Sequence, residues 1–220
     1  MISVPTTVHG RVLIEPDGDA AVASGVLVGF HGYGQDAEDM MAELRRIPGV
    51  NAWTRVSIQA LNRFYTRGDA KVVANWMTRQ DRDLAIADNI AYVNAALDQA
   101  LRTAHYAPRT VPLVFAGFSQ GVAMAYRAAM MGARPVAGVI ALAGDIPPEL
   151  TTGAPPLQPW PRVLIGVGDK EEWYSRDRVE HDRVFLESRG VPHAIERFDG
   201  GHEWTDTFRV AAGQFLTTVL

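Results

Sequence analysis

The stretch that most constrains this 220-residue chain is Gly117-Phe118-Ser119-Gln120-Gly121, set between the apolar run 111–115 and the helix-like segment 122–129. A buried strand that runs into Gly-x-Ser-x-Gly and then into a helix makes a turn too tight for side chains two positions either side of the serine. Gly117 and Gly121 remove those side chains, which leaves the Ser119 hydroxyl clear of the backbone at the end of a sheet. The helix start adds unpaired N–H groups and the positive end of a dipole, both favourable to developing negative charge. The plainer reading, in which the glycines only allow close helix packing, uses the same five residues. The rest of the chain has to decide between them.

Read in order, the apolar segments alternate between two periods. Residues 12–14 and 22–30 read as strands joined by a turn at Pro16-Asp17-Gly18-Asp19. Asp36 is placed to cap a helix over 37–46, with Glu38 and Asp39 in its first turn and Pro48-Gly49 beyond its end. A short strand is predicted over 55–60, and 61–80 reads as a long loop because no period runs through it. Ile86, Ile90, Val93, Leu97 and Leu101 share one face of a helix that Tyr106-Ala107-Pro108 ends. Further strands are predicted at 136–143, 163–167 and 193–198, and helices at 175–188 and toward the end of the chain. The six prolines at 147, 148, 155, 156, 159 and 161 make 147–161 a stiff loop. Strands alternating with helices imply an α/β fold, a mostly parallel sheet with helices on both faces, in a single domain over 1–220 with no separate lid.

In such sheets ligands sit beyond the carboxyl ends of the strands. Four chemically suggestive groups fall there: His31-Gly32-Tyr33-Gly34, Ser119, Asp169 and His202. The chain order Ser, Asp, His is the one found in α/β-hydrolases. His202, preceded by Gly200-Gly201, is the expected general base, since an imidazole can take the serine proton and return it to the leaving group. Asp169 is the expected acid that fixes the imidazole tautomer, with Asp145 at the preceding strand end as a rival and Glu171 and Glu172 read as solvated. The oxyanion of a tetrahedral intermediate requires two N–H donors, expected from Gln120 and Tyr33.

Composition removes several other classes. The net charge of −4 and pI near 5.9 give no basic footprint for nucleic acid or anionic lipid. With no cysteine, disulfides, thiolate zinc sites and a cysteine nucleophile are excluded. No His-Glu-x-x-His occurs, and Gly166-Val167-Gly168 is too slight for a nucleotide loop, so neither metal nor other cofactor is expected. No signal-like start or membrane-length apolar run is visible, which makes a cytoplasmic protein without membrane insertion the expectation.

Together these residues resemble the phospholipase/carboxylesterase branch of the α/β-hydrolases, which includes acyl-protein thioesterases and small bacterial carboxylesterases. The resemblance rests on His31-Gly32-Tyr33-Gly34, Gly117-Phe118-Ser119-Gln120-Gly121, Gly168-Asp169 and Gly201-His202, with Trp76 ahead of Asp88-Asn89-Ile90 as a weaker match. It implies a lidless α/β-hydrolase domain that cleaves carboxylic esters or thioesters through an acyl-enzyme, without a cofactor. The partner expected is a small-molecule substrate, with a homodimer left open. Two departures fall where substrate would sit. Tyr33-Gly34-Gln35 stands where the family usually has Leu-Gly-Asp, and Lys170-Glu171-Glu172-Trp173-Tyr174 stands where it has Val-Pro after the acid.

Four of the five tryptophans, Trp76, Trp160, Trp173 and Trp204, fall in loops or at helix starts on the reactive edge. They line a groove for an acyl chain or aromatic alcohol, or they pack loops onto the sheet; the sequence supports both equally. Two other functions compete: a serine peptidase or amidase of the same fold, and a non-catalytic ligand-binding homologue. The first normally needs a gating domain, and the second usually lacks a member of the triad.

Overall fold

The computed structural model describes residues 2–16, 23–68, 70–104, 111–153 and 156–220. A seven-stranded sheet runs through the molecule in the order β1 (Arg11–Glu15), β3 (Trp53–Gln59), β2 (Gly25–Phe30), β6 (Leu113–Phe118), β7 (Gly138–Leu142), β8 (Arg162–Gly168) and β9 (His193–Phe198). Every neighbouring pair is parallel except β1 with β3. The strands predicted at 12–14 and 22–30 are therefore not a hairpin: β3 lies between them. Turn positions 17–19, helix-ending positions 106–108 and Pro155 lie outside the described residues.

The inner strands are buried on both faces, and their alternate residues feed two cores. Val26, Val28, Phe30, Phe115, Val139 and Ile165 face one layer, made by α2 (Arg82–Thr103), α3 (Gln120–Met131) and α5 (Arg176–Ser188). Leu27, Val114, Ala116, Ile140 and Leu164 face the other, made by α1 (Ala37–Arg45) and α6 (Asp206–Thr218). Asp36 caps α1 in a reciprocal box with Asp39, as expected from the acidic first turn. Among the described residues no helix is long and apolar enough to cross a membrane.

Two stretches read as loops contain regular structure. Within 61–80, β4 (Asn62–Tyr65) and β5 (Val72–Asn75) form an antiparallel hairpin, and within 147–161 the pair Pro147-Pro148 starts a short helix, α4 (Pro148–Thr152). Periodicity does not reveal the hairpin because its burial is uneven: β4 is largely exposed while Val73 and Ala74 are buried, so no alternation spans it.

β2 is flanked by β3 on one side and β6 on the other, so the chain's direction of travel across the sheet reverses between β2 and β6. That reversal opens a crevice at the carboxyl ends of these two strands. His31 follows β2 there and Ser119 follows β6.

Candidate active site

The turn after β6 has the strained backbone its glycines imply. Ser119 has φ 53° and ψ −120°, an uncommon conformation for a residue with a side chain. A Cβ on Gly117 would lie 2.6 Å from the Gly121 carbonyl oxygen and the Val122 backbone. No real Cβ makes that approach, so the turn can form only with glycine there. Ser119 N–H donates to the Leu142 carbonyl at 2.9 Å, and the Ser119 carbonyl accepts from Val122 N–H at 3.0 Å. Its hydroxyl, half-buried at the start of α3, makes no hydrogen bond with any described residue.

The loop after β2 is held by its own side chains. The Nε2 of buried His31 accepts from Ala60 N–H at 3.0 Å, which places the ring proton on Nδ1, facing the Gly32 carbonyl at 2.8 Å. Burial pushes the His31 pKa below its ordinary value and keeps the ring neutral. The Gln35 side-chain oxygen accepts from Gly32 N–H at 2.8 Å, and β5 binds the loop through Gly34 N–H to Ala74 O and Ala74 N–H to Gln35 O. Tyr33 N–H is left without an acceptor among the described residues, as is Gln120 N–H at the first position of α3. These are the two donors that the sequence singles out.

The Gln120 carboxamide has a second task that the sequence did not disclose. Its oxygen accepts from Trp76 N–H at 2.8 Å and its nitrogen donates to the Met77 carbonyl at 3.0 Å. Trp76 is fully buried, donates its ring N–H to the His31 carbonyl at 2.9 Å, and packs against Phe30 and His31. Asn89 on α2 donates to the Trp76 carbonyl at 2.7 Å. Trp76 therefore props the loop after β2 from below and does not line a substrate groove.

At the other strand ends, the loops after β8 and β9 meet backbone to backbone. A Cβ on Gly168 would sit 2.4 Å from the Gly200 oxygen and 2.6 Å from the Gly201 oxygen. Asp169 N–H donates to Phe198 O and Lys170 N–H to Gly200 O, both at 2.9 Å. This contact brings the His202 ring to a carboxylate, but not to the expected one. His202 Nδ1 lies 2.8 and 3.0 Å from the two oxygens of Glu171, whose side chain is only 1% exposed. Asp169 prolongs the β8 ladder through its N–H and leaves its carboxylate in solvent. Asp145 is paired with Arg178 at 2.9 Å. Neither is the partner of His202, and the reading of Glu171 as solvated is corrected; Glu172 is exposed as expected. Two residues further along the loop and one methylene longer, Glu171 turns inward, where Trp173 N–H donates to its Oε1 at 2.7 Å and Tyr174 N–H at 3.3 Å. The signal in the sequence was Tyr174, a ring three residues on whose burial anchors the loop and turns the acid inward.

The His202 ring packs on the ring of Phe118, the residue before Ser119, with centroids 5.0 Å apart. Its Nε2 is unclaimed among the described residues. Serine, imidazole and carboxylate thus lie on one edge of the sheet, at the carboxyl ends of β6, β9 and β8, with the two backbone donors at the ends of β2 and β6. Of the remaining tryptophans, Trp204 is buried against Phe208, and Trp160 packs on Tyr126 and Phe185 as part of the core. Trp173 alone stays open, 73% exposed. A separate groove of about 720 Å³ runs between α2 and α4, lined by Ile86, Ile90, Met131, Leu150 and Leu157, and neither Ser119 nor His202 borders it.

A profile of the phospholipase/carboxylesterase family matches residues 13–158, which include the loop after β2 and the serine turn. The chain belongs to the phospholipase/carboxylesterase family. The acid and histidine loops lie beyond the matched stretch, where this chain also departs from the pattern its sequence resembles. No curated protein matches the sequence. Among solved structures, esterase PE8 is 23% identical with a TM-score of 0.74, covering 96% of this chain and 98% of its own. A Bacillus cereus carboxylesterase is 15% identical with a TM-score of 0.75, over 96% and 95% of the two chains. Zea mays acyl-protein thioesterase 2 is 16% identical with a TM-score of 0.73, over 96% and 99%. Identities this low establish a shared α/β-hydrolase fold.

Proposed function

We propose that this member of the family is a serine hydrolase that cleaves carboxylic esters through an acyl-enzyme. Ser119 is the nucleophile, His202 the general base, Glu171 the triad acid, and the Tyr33 and Gln120 N–H groups the oxyanion hole. The observation that carries the reading is the His202–Glu171 contact beside the strained serine turn. A carboxylate on Nδ1 fixes the tautomer that presents Nε2 as a proton acceptor, and it stabilises the imidazolium formed when Ser119 attacks. Nε2 then returns the proton to the departing alcohol, and water repeats the cycle on the acyl-enzyme. The two N–H donors meet charge only when the carbonyl oxygen becomes an oxyanion, which is where their stabilisation acts on rate. In a free enzyme the serine–histidine hydrogen bond is often long, and it tightens when substrate is bound.

The substrate-facing aromatics reduce to Tyr33 and Trp173, exposed at 64% and 73% on the loops that carry an oxyanion donor and the acid. They favour an acyl or aromatic group held by surface contact over one enclosed in a deep pocket. A cytoplasmic setting and action as a single domain on a small-molecule ester or thioester belong to the same proposal. The test is Ser119→Ala, expected to lower kcat about 10⁶-fold on p-nitrophenyl esters, equal to roughly 8 kcal/mol of transition-state stabilisation. Near-normal turnover by the folded variant would remove the reading. A panel of esters and thioesters of graded length then ranks the substrates.

A further inference from the structure

Glu171 is fixed to the protein on two sides. Upstream, Asp169 and Lys170 are tied by backbone bonds to the histidine loop, and Glu171 N–H donates to the Gly168 carbonyl at 3.2 Å. Downstream, the loop is anchored by one side chain. The Tyr174 ring is 2% exposed, and its hydroxyl donates to Asp182 Oδ2 at 2.8 Å. Asp182, on α5 and 1% exposed, also accepts from Ile146 N–H at 3.0 Å through the same oxygen. One buried carboxylate therefore joins the acid loop to the loop after β7.

We propose that Asp182 and Tyr174 are positioning residues for catalysis: Asp182 seats the Tyr174 phenol, and the seated Tyr174 holds the loop in the conformation that aims Glu171 at His202. The proposal rests on the reading of Glu171 as the triad acid. Three observations support it. Tyr174 N–H is itself a donor to Glu171 Oε1, so a shift of the ring moves a ligand of the acid. Trp173, which supplies the shorter bond to Oε1, is largely exposed and cannot anchor the loop by burial. Asp182 is buried far more completely than a solvent-facing helix carboxylate would be, and both of its donors lie in loops at the site edge. A carboxylate in that position is costly to bury unless it is hydrogen-bonded, and the bonds it makes here tie together these two loops.

The other ionisable groups around Asp182 are consistent with this role. Tyr126 on α3, the helix that begins at Ser119, is fully buried; the charges of Asp182 and Asp145 add to burial in raising its pKa, and its hydroxyl has no partner among the described residues. Asp145, although paired with Arg178, still raises the Asp182 pKa through its charge, and the neighbouring His181 acts in the opposite direction. No cation pairs with the Asp182 carboxylate among the described residues, so its orientation depends on the two donors, Tyr174 O–H and Ile146 N–H.

The decisive experiment is a double-mutant cycle with an ester substrate, in which kcat and KM are measured separately. Tyr174→Phe is expected to lower kcat about 10- to 100-fold with KM within about two-fold, the effect of a catalytic group displaced by a fraction of an ångström to one ångström. In a Glu171→Gln background the same change is expected to cost nothing further, because both changes act through one carboxylate. Asp182→Ala is expected to match Tyr174→Phe, and Asp182→Asn, which keeps an acceptor for the phenol, to recover most of the loss. If Asp182→Ala does not fold, the Tyr174→Phe cycle stands alone. Equal losses in both backgrounds, or a folded Tyr174→Phe protein with wild-type kcat, would overturn the proposal while leaving Glu171 as the acid. A Glu171→Gln protein with wild-type kcat would overturn the acid assignment and this inference together.

Discussion

Gly121 opens α3 so close beneath the end of β2 that a Cβ built on it would lie 2.0 Å from the Phe30 carbonyl oxygen and 2.6 Å from that of His31. Both obstacles are backbone, so neither can swing aside. The same approach holds the first turn of α3 against the loop that carries Tyr33. Gly121→Ala should therefore damage stability and catalysis together. Overpacking of this kind typically costs about 1–3 kcal/mol, which lowers Tm by roughly 2–12 °C in a chain of this size. Calorimetry and ester turnover on one preparation check it: a fully active variant with unchanged Tm would mean that the elbow tolerates the methyl group.

Glu171→Gln should lower kcat about 10⁴-fold, the loss expected when the acid no longer holds the imidazole in the right tautomer. Asp169→Asn and Asp145→Asn should each stay within a few-fold of the parent enzyme, since one carboxylate faces solvent and the other faces Arg178. The three variants assayed side by side separate the candidates. A 10⁴-fold loss in Asp169→Asn with an active Glu171→Gln would reverse the assignment.

The serine turn and the loop after β2 were legible because their conformation requires backbone that only certain residues can adopt. Gly117, Ser119 and Gly121 leave a pattern that no packing of an ordinary helix requires. The carboxylate partner of His202 was not legible in the same way. Asp169 and Glu171 both follow β8, and which of them turns inward depends on where Tyr174 is buried, a tertiary fact settled by Asp182 eight residues on in α5. Of the two roles the sequence leaves open for Trp76, the structure shows the packing one, because bonds from its backbone to the Gln120 carboxamide and the Asn89 amide hold it inward, a tertiary fact of the same kind. The β4–β5 hairpin has one exposed and one buried strand, so hydrophobic periodicity does not reveal it.

Gln120→Ala separates the two tasks of this residue. The backbone N–H stays, so the oxyanion donor survives, and kcat on an ester substrate should fall less than about 10-fold, against the 10²–10³-fold typical of losing an oxyanion-hole donor. The Trp76 N–H and the Met77 carbonyl lose their partner, and stranded polar groups cost about 1–3 kcal/mol each when water cannot replace it. A clear drop in Tm with most of kcat retained is the expected result. A collapse of kcat at unchanged Tm would mean that the carboxamide acts on the substrate directly.

The Asp182 carboxyl also leaves a signature in stability against pH. Burial raises its pKa to about 6, while the bonds from Ile146 N–H and Tyr174 O–H act in the opposite direction. A carboxyl whose pKa is higher folded than unfolded binds its proton more tightly in the native state. Its contribution is therefore complete below the unfolded value of 3.8 and lost as pH rises through about 6. A shift of about two units corresponds to about 3 kcal/mol. Glu15 behaves in the opposite sense, since Arg45 holds its carboxyl below the ordinary value and its contribution is lost in acid. That contribution is common to the parent and to Asp182→Asn, and it cancels in their difference. Urea unfolding of both proteins should thus show the advantage of the parent shrinking, or a deficit growing, by roughly 2 kcal/mol between pH 4 and pH 7, most of the full shift. A difference that stays flat across that window would mean that Asp182 does not titrate there. With a pKa of about 6 the carboxyl is charged in the native state at neutral pH, so its burial costs stability while it forms the charge-assisted bonds that seat Tyr174 beneath the loop carrying Glu171.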